Sequence, residues 1–225
     1  MQTLRVLLTA SLICLVAMPL TAGLAEAAKT KGKIRKDVYM SPAKNFSVPV
    51  PRGLGMRVND SYASEEGIGG VSFHDDFGNQ SGILFMRIPA EAARALDDPA
   101  TRRQALESFL EAVALPTWFL PASRDARIVH QEFAGSRDSV AFMGLVSIPG
   151  GSTAMDMKTG KRLDSARAVL TLYHDGFVYV LTTEVGGGAF AVLDKEQRDP
   201  KDQLAAGSKK LFEFLGTIRF QVPNH

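Results

Sequence analysis

Ala168-Val169-Leu170-Thr171-Leu172-Tyr173-His174-Asp175-Gly176-Phe177-Val178-Tyr179-Val180-Leu181-Thr182-Thr183-Glu184-Val185 is the stretch that decides the fold. Two β-branched and aromatic runs flank Asp175-Gly176, a pair suited to a type I′ turn because both of its positions take positive φ. That turn predicts a hairpin pairing His174 with Phe177, Leu172 with Tyr179 and Leu170 with Leu181 on one face. The other face carries Tyr173 with Val178, Thr171 with Val180, and Arg167 opposite Glu184. Both faces are largely apolar, so each must be covered by another layer.

The covers are sought in two segments of helical spacing. Asp98 caps the first, Pro99 takes its first position, and Leu106, Phe109, Leu110 and Val113 form its apolar stripe until Pro116 ends it. Asp199-Pro200 repeats the device, with Leu204, Leu211, Phe212 and Leu215 as the buried stripe and Gly216 as the stop. Further strands are read at Gly69 to His74 and Ser81 to Ile88, around the turn-rich 75–79, and at Arg127 to Phe133 and Val140 to Ile148, joined around Gly135-Ser136-Arg137-Asp138. Phe46, Val48 and Val50 alternate with Ser47, Pro49 and Pro51, which points to an edge or entry strand. Ile218, Phe220 and Val222 close the chain as a last strand. Trp118-Phe119-Leu120, between Pro116 and Pro121, is an apolar knot expected to plug the core. The expectation is one α+β domain over residues 45–223, a mainly antiparallel sheet with helices on its faces.

The N-terminus reads as an export signal. Arg5 precedes the apolar run Val6 to Leu20, and Ala25 and Ala27 suit the two small subsites of a signal peptidase. The run is too short, and Pro19 too disruptive, for a spanning helix. Cys14 lies in mid-run behind Ile13, which does not fit a lipidation site. It is also the only cysteine of the chain, so cleavage after Ala27 leaves no disulfide, thiol nucleophile or cysteine-ligated zinc. About 200 residues then remain, enough for a core that holds without staples.

The net charge of +2 is unevenly placed. Lys29, Lys31, Lys33, Arg35 and Lys36 form a basic arm at the head of residues 28–44, while Arg5 and Glu26 cancel. The body beyond the arm is therefore mildly acidic. Such an arm is either solvated or drawn to an anionic membrane surface or an acidic partner. Nucleic acid is not indicated.

No catalytic residue set and no cofactor loop emerges. Ser41-Pro42-Ala43-Lys44 and Lys158-Thr159-Gly160 match two motifs of penicillin-binding enzymes, but the first runs straight into a strand, where serine and lysine cannot share a helical turn. His74, His130 and His174 have no ligand spacing, so no metal site is assigned. Two function classes follow: a non-enzymatic binding or assembly module of the periplasm or cell envelope, with a protein partner there, or a metal-binding protein or hydrolase in which folding brings His74, Asp76 and His174 together. The long segments 150–165 and 186–198 are candidates for functional loops.

Phe46-Ser47-Val48-Pro49-Val50-Pro51-Arg52-Gly53 resembles the opening strand of PsbP-like domains, and Gly176 to Leu181 followed by a helix and Leu215 to Phe220 resembles their closing elements. The resemblance implies an antiparallel sheet between helices, used as a binding or assembly module. It implies no catalytic residues.

Overall fold

The structure, a computed structural model, describes residues 31–134, 141–152, 155–185 and 199–221. The expected cleavage site at Ala25 and Ala27, Lys29, residues 135–140 and 186–198, and Val222 lie outside the described residues.

Seven strands form the large sheet: β4 (Arg57–Ala63), β5 (Ile68–His74), β6 (Gln80–Arg87), β7 (Arg127–Ala134), β8 (Ala141–Ile148), β9 (Ser165–His174) and β10 (Phe177–Glu184). Their order is β4-β5-β6-β10-β9-β8-β7, antiparallel throughout. Two meanders meet where β10 pairs with β6. The β9–β10 hairpin has the register read from its turn, from His174 opposite Phe177 to Arg167 opposite Glu184. Asp175 and Gly176 sit at φ 46° and 77°, the left-handed pair this turn demands.

Each face has its own cover. Val169, Val178, Val180, Phe142 and Val146 are buried against α2 (Pro99–Phe109) and the π-helical segment that continues it over Leu110–Phe119. The short helix α1 (Ala90–Asp97) precedes α2 and buries Leu96 in the same layer. Asp98 caps α2 by accepting from the Ala100 N–H at 2.9 Å, as its sequence implies. Pro116 does not end the helix. The wider π-turn accommodates it, whereas in an α-helix its ring would strike the carbonyl four residues back. The Trp118-Phe119 knot belongs to this core: Phe119 is buried, and Trp118 lies with its ring centroid 6.2 Å from that of Phe109.

The opposite face carries Leu170, Tyr179, Leu181, Ile83 and Phe85, and its cover is not helical alone. A second sheet lies there, β1 (Lys33–Arg35), β2 (Val38–Met40), β3 (Phe46–Pro49) and β11 (Arg219–Phe220), in the order β1-β2-β3-β11. Phe46 of β3, fully buried, meets Phe85 at 5.6 Å and Tyr179 at 6.1 Å between ring centroids. So β3 is an inner strand of the small sheet, and of the edge or entry positions expected for it the edge is excluded. Its prolines are tolerated because β11 pairs only with Ser47 and Phe46, and no ladder on that side reaches Pro49. Part of the basic arm is structural as well, since Lys33–Arg35 is β1, turned back through Lys36 and Asp37 at φ 47° and 59°.

Helix α3 (Pro200–Thr217) completes this layer, with Asp199 accepting from the Lys201 N–H at 2.8 Å. Leu204, Gly207 and Leu211 face inward. Phe212, expected in the stripe, is 44% exposed, because it is rotated about 100° from Leu211; Phe214 turns in instead, edge-on to Phe73. Gly216 is not the stop either. The helix runs through Thr217 and ends when Ile218 becomes extended.

Candidate functional site

The register decides the fate of the trio His74, Asp76 and His174. His74 pairs with Gln80 at one end of β6, whereas His174 pairs with Phe177, which faces Arg87 at the other end. Seven residues of strand, about 23 Å, separate those ends. The two histidines also occupy opposite faces: His74 neighbours Phe73 of one core, so it projects to the other, while His174 stacks on Phe220 with centroids 4.8 Å apart. Asp76 faces Arg57 at 3.4 Å, and His174 lies 3.1 Å from its neighbour Asp175. His130 is on the outer strand β7 near Glu132. The three side chains do not converge, and the metal or hydrolase reading built on them is overturned. Among the described residues no group of three or more His, Cys, Asp or Glu could hold a metal ion. Ser41 and Lys44 likewise sit in a β2–β3 turn, where the Ser41 hydroxyl accepts from the Ala43 N–H and Lys44 has φ 56°.

Two other arrangements appear, neither marked by a motif. The first is a polar row across the end of the large sheet. The pairing places His74, Gln80, Glu184 and Arg167 side by side on four strands. Arg167 Nη2 donates to Gln80 Oε1 at 2.6 Å, and Ser165 Oγ donates to Glu184 Oε1 at 3.2 Å. The His74 ring meets Ser72 Oγ at 2.9 Å. Burial, then the Arg167 and Arg57 charges, push the His74 imidazole down. Burial lowers Arg167 as well, and raises Glu184 against the opposing pull of Arg167 and Ser165. This row fixes register: a one-residue slip would drive its charges into the opposite core.

Glu184 therefore binds its proton more tightly when folded. Between the ordinary glutamate range and its raised value the folded state holds more protons, so this group's contribution to stability falls as pH rises through that window. Urea unfolding of wild type and Glu184→Gln across pH should show the wild type losing stability relative to the variant as that window is crossed. Parallel curves would remove the assignment.

The second arrangement is an open cleft of about 660 Å³ at the opposite end of the sheet, by the Asp175-Gly176 turn. Its floor is Tyr62, Phe177, Ile88 and Ala93; its rim carries Glu65, Glu66, Asp175 and Arg87. The backbone holds this shape. The Arg87 N–H donates to Gly67 O at 2.9 Å and the Ile88 N–H to Gly176 O at 2.8 Å. Gly67 has φ 64°, and a Cβ there would fall 2.6 Å from that of Arg87. All four charged rim residues are exposed, and three of them are carboxylates, so the cleft presents negative charge around an apolar floor. In the sequence Glu65-Glu66-Gly67 is an ordinary turn, and only the fold brings it beside Asp175.

No family model matches the chain, and no curated protein matches it. Among solved structures it is similar to the cyanobacterial PsbP, CyanoP, of Synechocystis sp. PCC 6803, at 13% identity and a TM-score of 0.44, covering 88% of this chain and 96% of that one. It is also similar to the Ran-binding protein Mog1p of Saccharomyces cerevisiae, at 11% identity and a TM-score of 0.41, covering 84% and 95%. A Mog1 variant matches at 9% identity and a TM-score of 0.47, covering 85% and 96%. No role, site residue or partner is carried over from these likenesses.

Proposed function

We propose that the protein is an exported, non-enzymatic binding or assembly module of the periplasm or cell envelope, and that its cleft takes a basic, partly apolar segment of a protein partner. The observation that carries this reading is the cleft's composition: Glu65, Glu66 and Asp175 around Tyr62, Phe177 and Ile88, with Arg87 as the one cation of the lining. An apolar floor supplies affinity, and solvated rim carboxylates select and steer a positively charged segment. The cleft is open, which suits an extended chain better than an enclosed small molecule. Export rests on residues 1–27, and the periplasmic or secreted location follows from that reading.

Fluorescence anisotropy with short peptides of alternating Lys/Arg and Leu/Phe tests it. Binding is expected to weaken with salt, and to fall about tenfold in the Glu65→Lys, Glu66→Lys double variant. Equal binding of peptides carrying Glu in place of the cations would defeat the proposal, as would an undiminished affinity in the variant.

A further inference from the structure

The end of the large sheet away from the cleft collects several connections. The turn 75–79 leaves it at His74 and Gln80, and the β8–β9 connection leaves it at Ile148 and Ser165. The 50–56 segment is tied to the same end, because the Asp76 N–H donates to Leu54 O at 3.0 Å. That segment also holds the β1–β2 turn, through the Val50 N–H to Asp37 O at 2.8 Å. A single exposed apolar side chain means little on any protein. Here, however, Leu54, Phe77, Met155 and Met157 are 68%, 45%, 54% and 96% exposed, four of the eight large exposed hydrophobics among the described residues, all at one end.

The most prominent of them is held outward by an organised turn. Met155 and Arg162 form an antiparallel bridge, and the Asp156 N–H donates to Lys161 O at 2.8 Å. Asp156 Oδ1 accepts from the Lys158 N–H at 2.7 Å, which closes the tip beneath Met157. The same segments carry cations. Arg52, Lys158, Lys161 and Arg162 are exposed and make no ion pair among the described residues. The acids at this end are Asp37, the buried Asp75, Asp76 facing Arg57, Asp156, whose carboxylate accepts from the Lys158 and Thr159 N–H groups, and Asp164, which accepts from the Gly150 N–H at 2.9 Å. Lys36 and Asp37, both exposed, stand together at the β1–β2 turn on the same side.

We propose that this end docks on an anionic lipid surface. Leu54, Phe77 and Met157 enter the boundary between headgroups and acyl chains, and Arg52, Lys158, Lys161 and Arg162 lie among the phosphates. Exposed apolar side chains on segments whose cations make no ion pair among the described residues match that layered chemistry, where a protein surface would have to supply both an apolar socket and a carboxylate rim. The proposal is independent of the cleft, which lies at the other end and carries the opposite charge.

The test places a tryptophan at the tip of the full chain, Met157→Trp, and at a control site on α3, Phe212→Trp. After subtraction of the native Trp118 emission read from wild type, vesicles of phosphatidylglycerol with brominated acyl chains are expected to quench the added emission of Met157→Trp at least about twofold, and to leave that of Phe212→Trp unchanged. Phosphatidylcholine vesicles are expected to quench neither. An unquenched Met157→Trp overturns the proposal, whether the protein stays in solution, binds only proteins or adheres through residues 1–27 alone. Equal quenching on both lipids overturns the role given to the cations.

Discussion

Phe46→Ala should destabilise the protein by about 3–5 kcal/mol, a large part of the roughly 5–15 kcal/mol that holds a domain of this kind. Phe46 is fully buried where the two sheets meet, against Tyr39, Phe85 and Tyr179. Removing its ring withdraws contacts from both layers at once. Neither can close the gap, because β3 is held on one side by β2 and on the other by β11. Urea unfolding should show the midpoint fall with an unchanged slope. Phe212→Ala, on the exposed side of α3, serves as the control and should stay within about 0.5 kcal/mol of wild type. Similar losses in the two variants would mean that β3 does not form the junction described.

The second large effect is at Gly207, where two principles oppose each other. Replacing a mid-helix glycine by alanine ordinarily gains about 0.5–1 kcal/mol. A Cβ on Gly207, however, would lie 2.4 Å from the Cβ of Ala168 and 2.9 Å from Cγ1 of Val185. Neither neighbour is a flexible chain end, since Ala168 is fully buried in β9. Overpacking of this kind costs about 1–3 kcal/mol, so the clash outweighs the propensity and Gly207→Ala should destabilise. Gly207→Val, larger and β-branched, should be worse and should loosen α3 from the sheet. Ala168→Gly in the Gly207→Ala background should recover part of the loss, a coupling readable by thermal unfolding of the four proteins of a double-mutant cycle. A stabilised Gly207→Ala would show that α3 does not approach β9 this closely.

Where local chemistry was complete, the sequence could be read residue by residue. Asp175-Gly176 specified its turn, the turn specified the register, and the register placed Arg167 opposite Glu184. Asp98-Pro99 and Asp199-Pro200 marked two helix starts for the same reason. Elsewhere tertiary packing overrides the local signal. Pro116 was absorbed by a π-turn, Phe212 gave way to Phe214 once Gly207 set the rotation of α3, and the prolines after Phe46 proved compatible with an inner strand because β11 is short. The β1–β2 turn had no glycine to announce it, since Lys36 and Asp37 both take positive φ. The candidate cleft is illegible in the sequence because Asp175 lies more than a hundred residues from Glu65-Glu66, and only the pairing of β5 with β6 and of β6 with β10 assembles them. The same pairing separates His74 from His174, an outcome that residue types alone could not decide.

The proposed capture of a basic segment by this cleft can be read by site-specific photo-crosslinking in the native envelope. A photoreactive residue at Glu66 should trap a discrete protein adduct through a stretch rich in Lys or Arg, and Glu65→Lys in the same chain should diminish it. The same probe at Lys209, on the exposed side of α3, should not form that adduct. No adduct at Glu66, or the same adducts from both positions, would mean that the cleft does not hold such a segment.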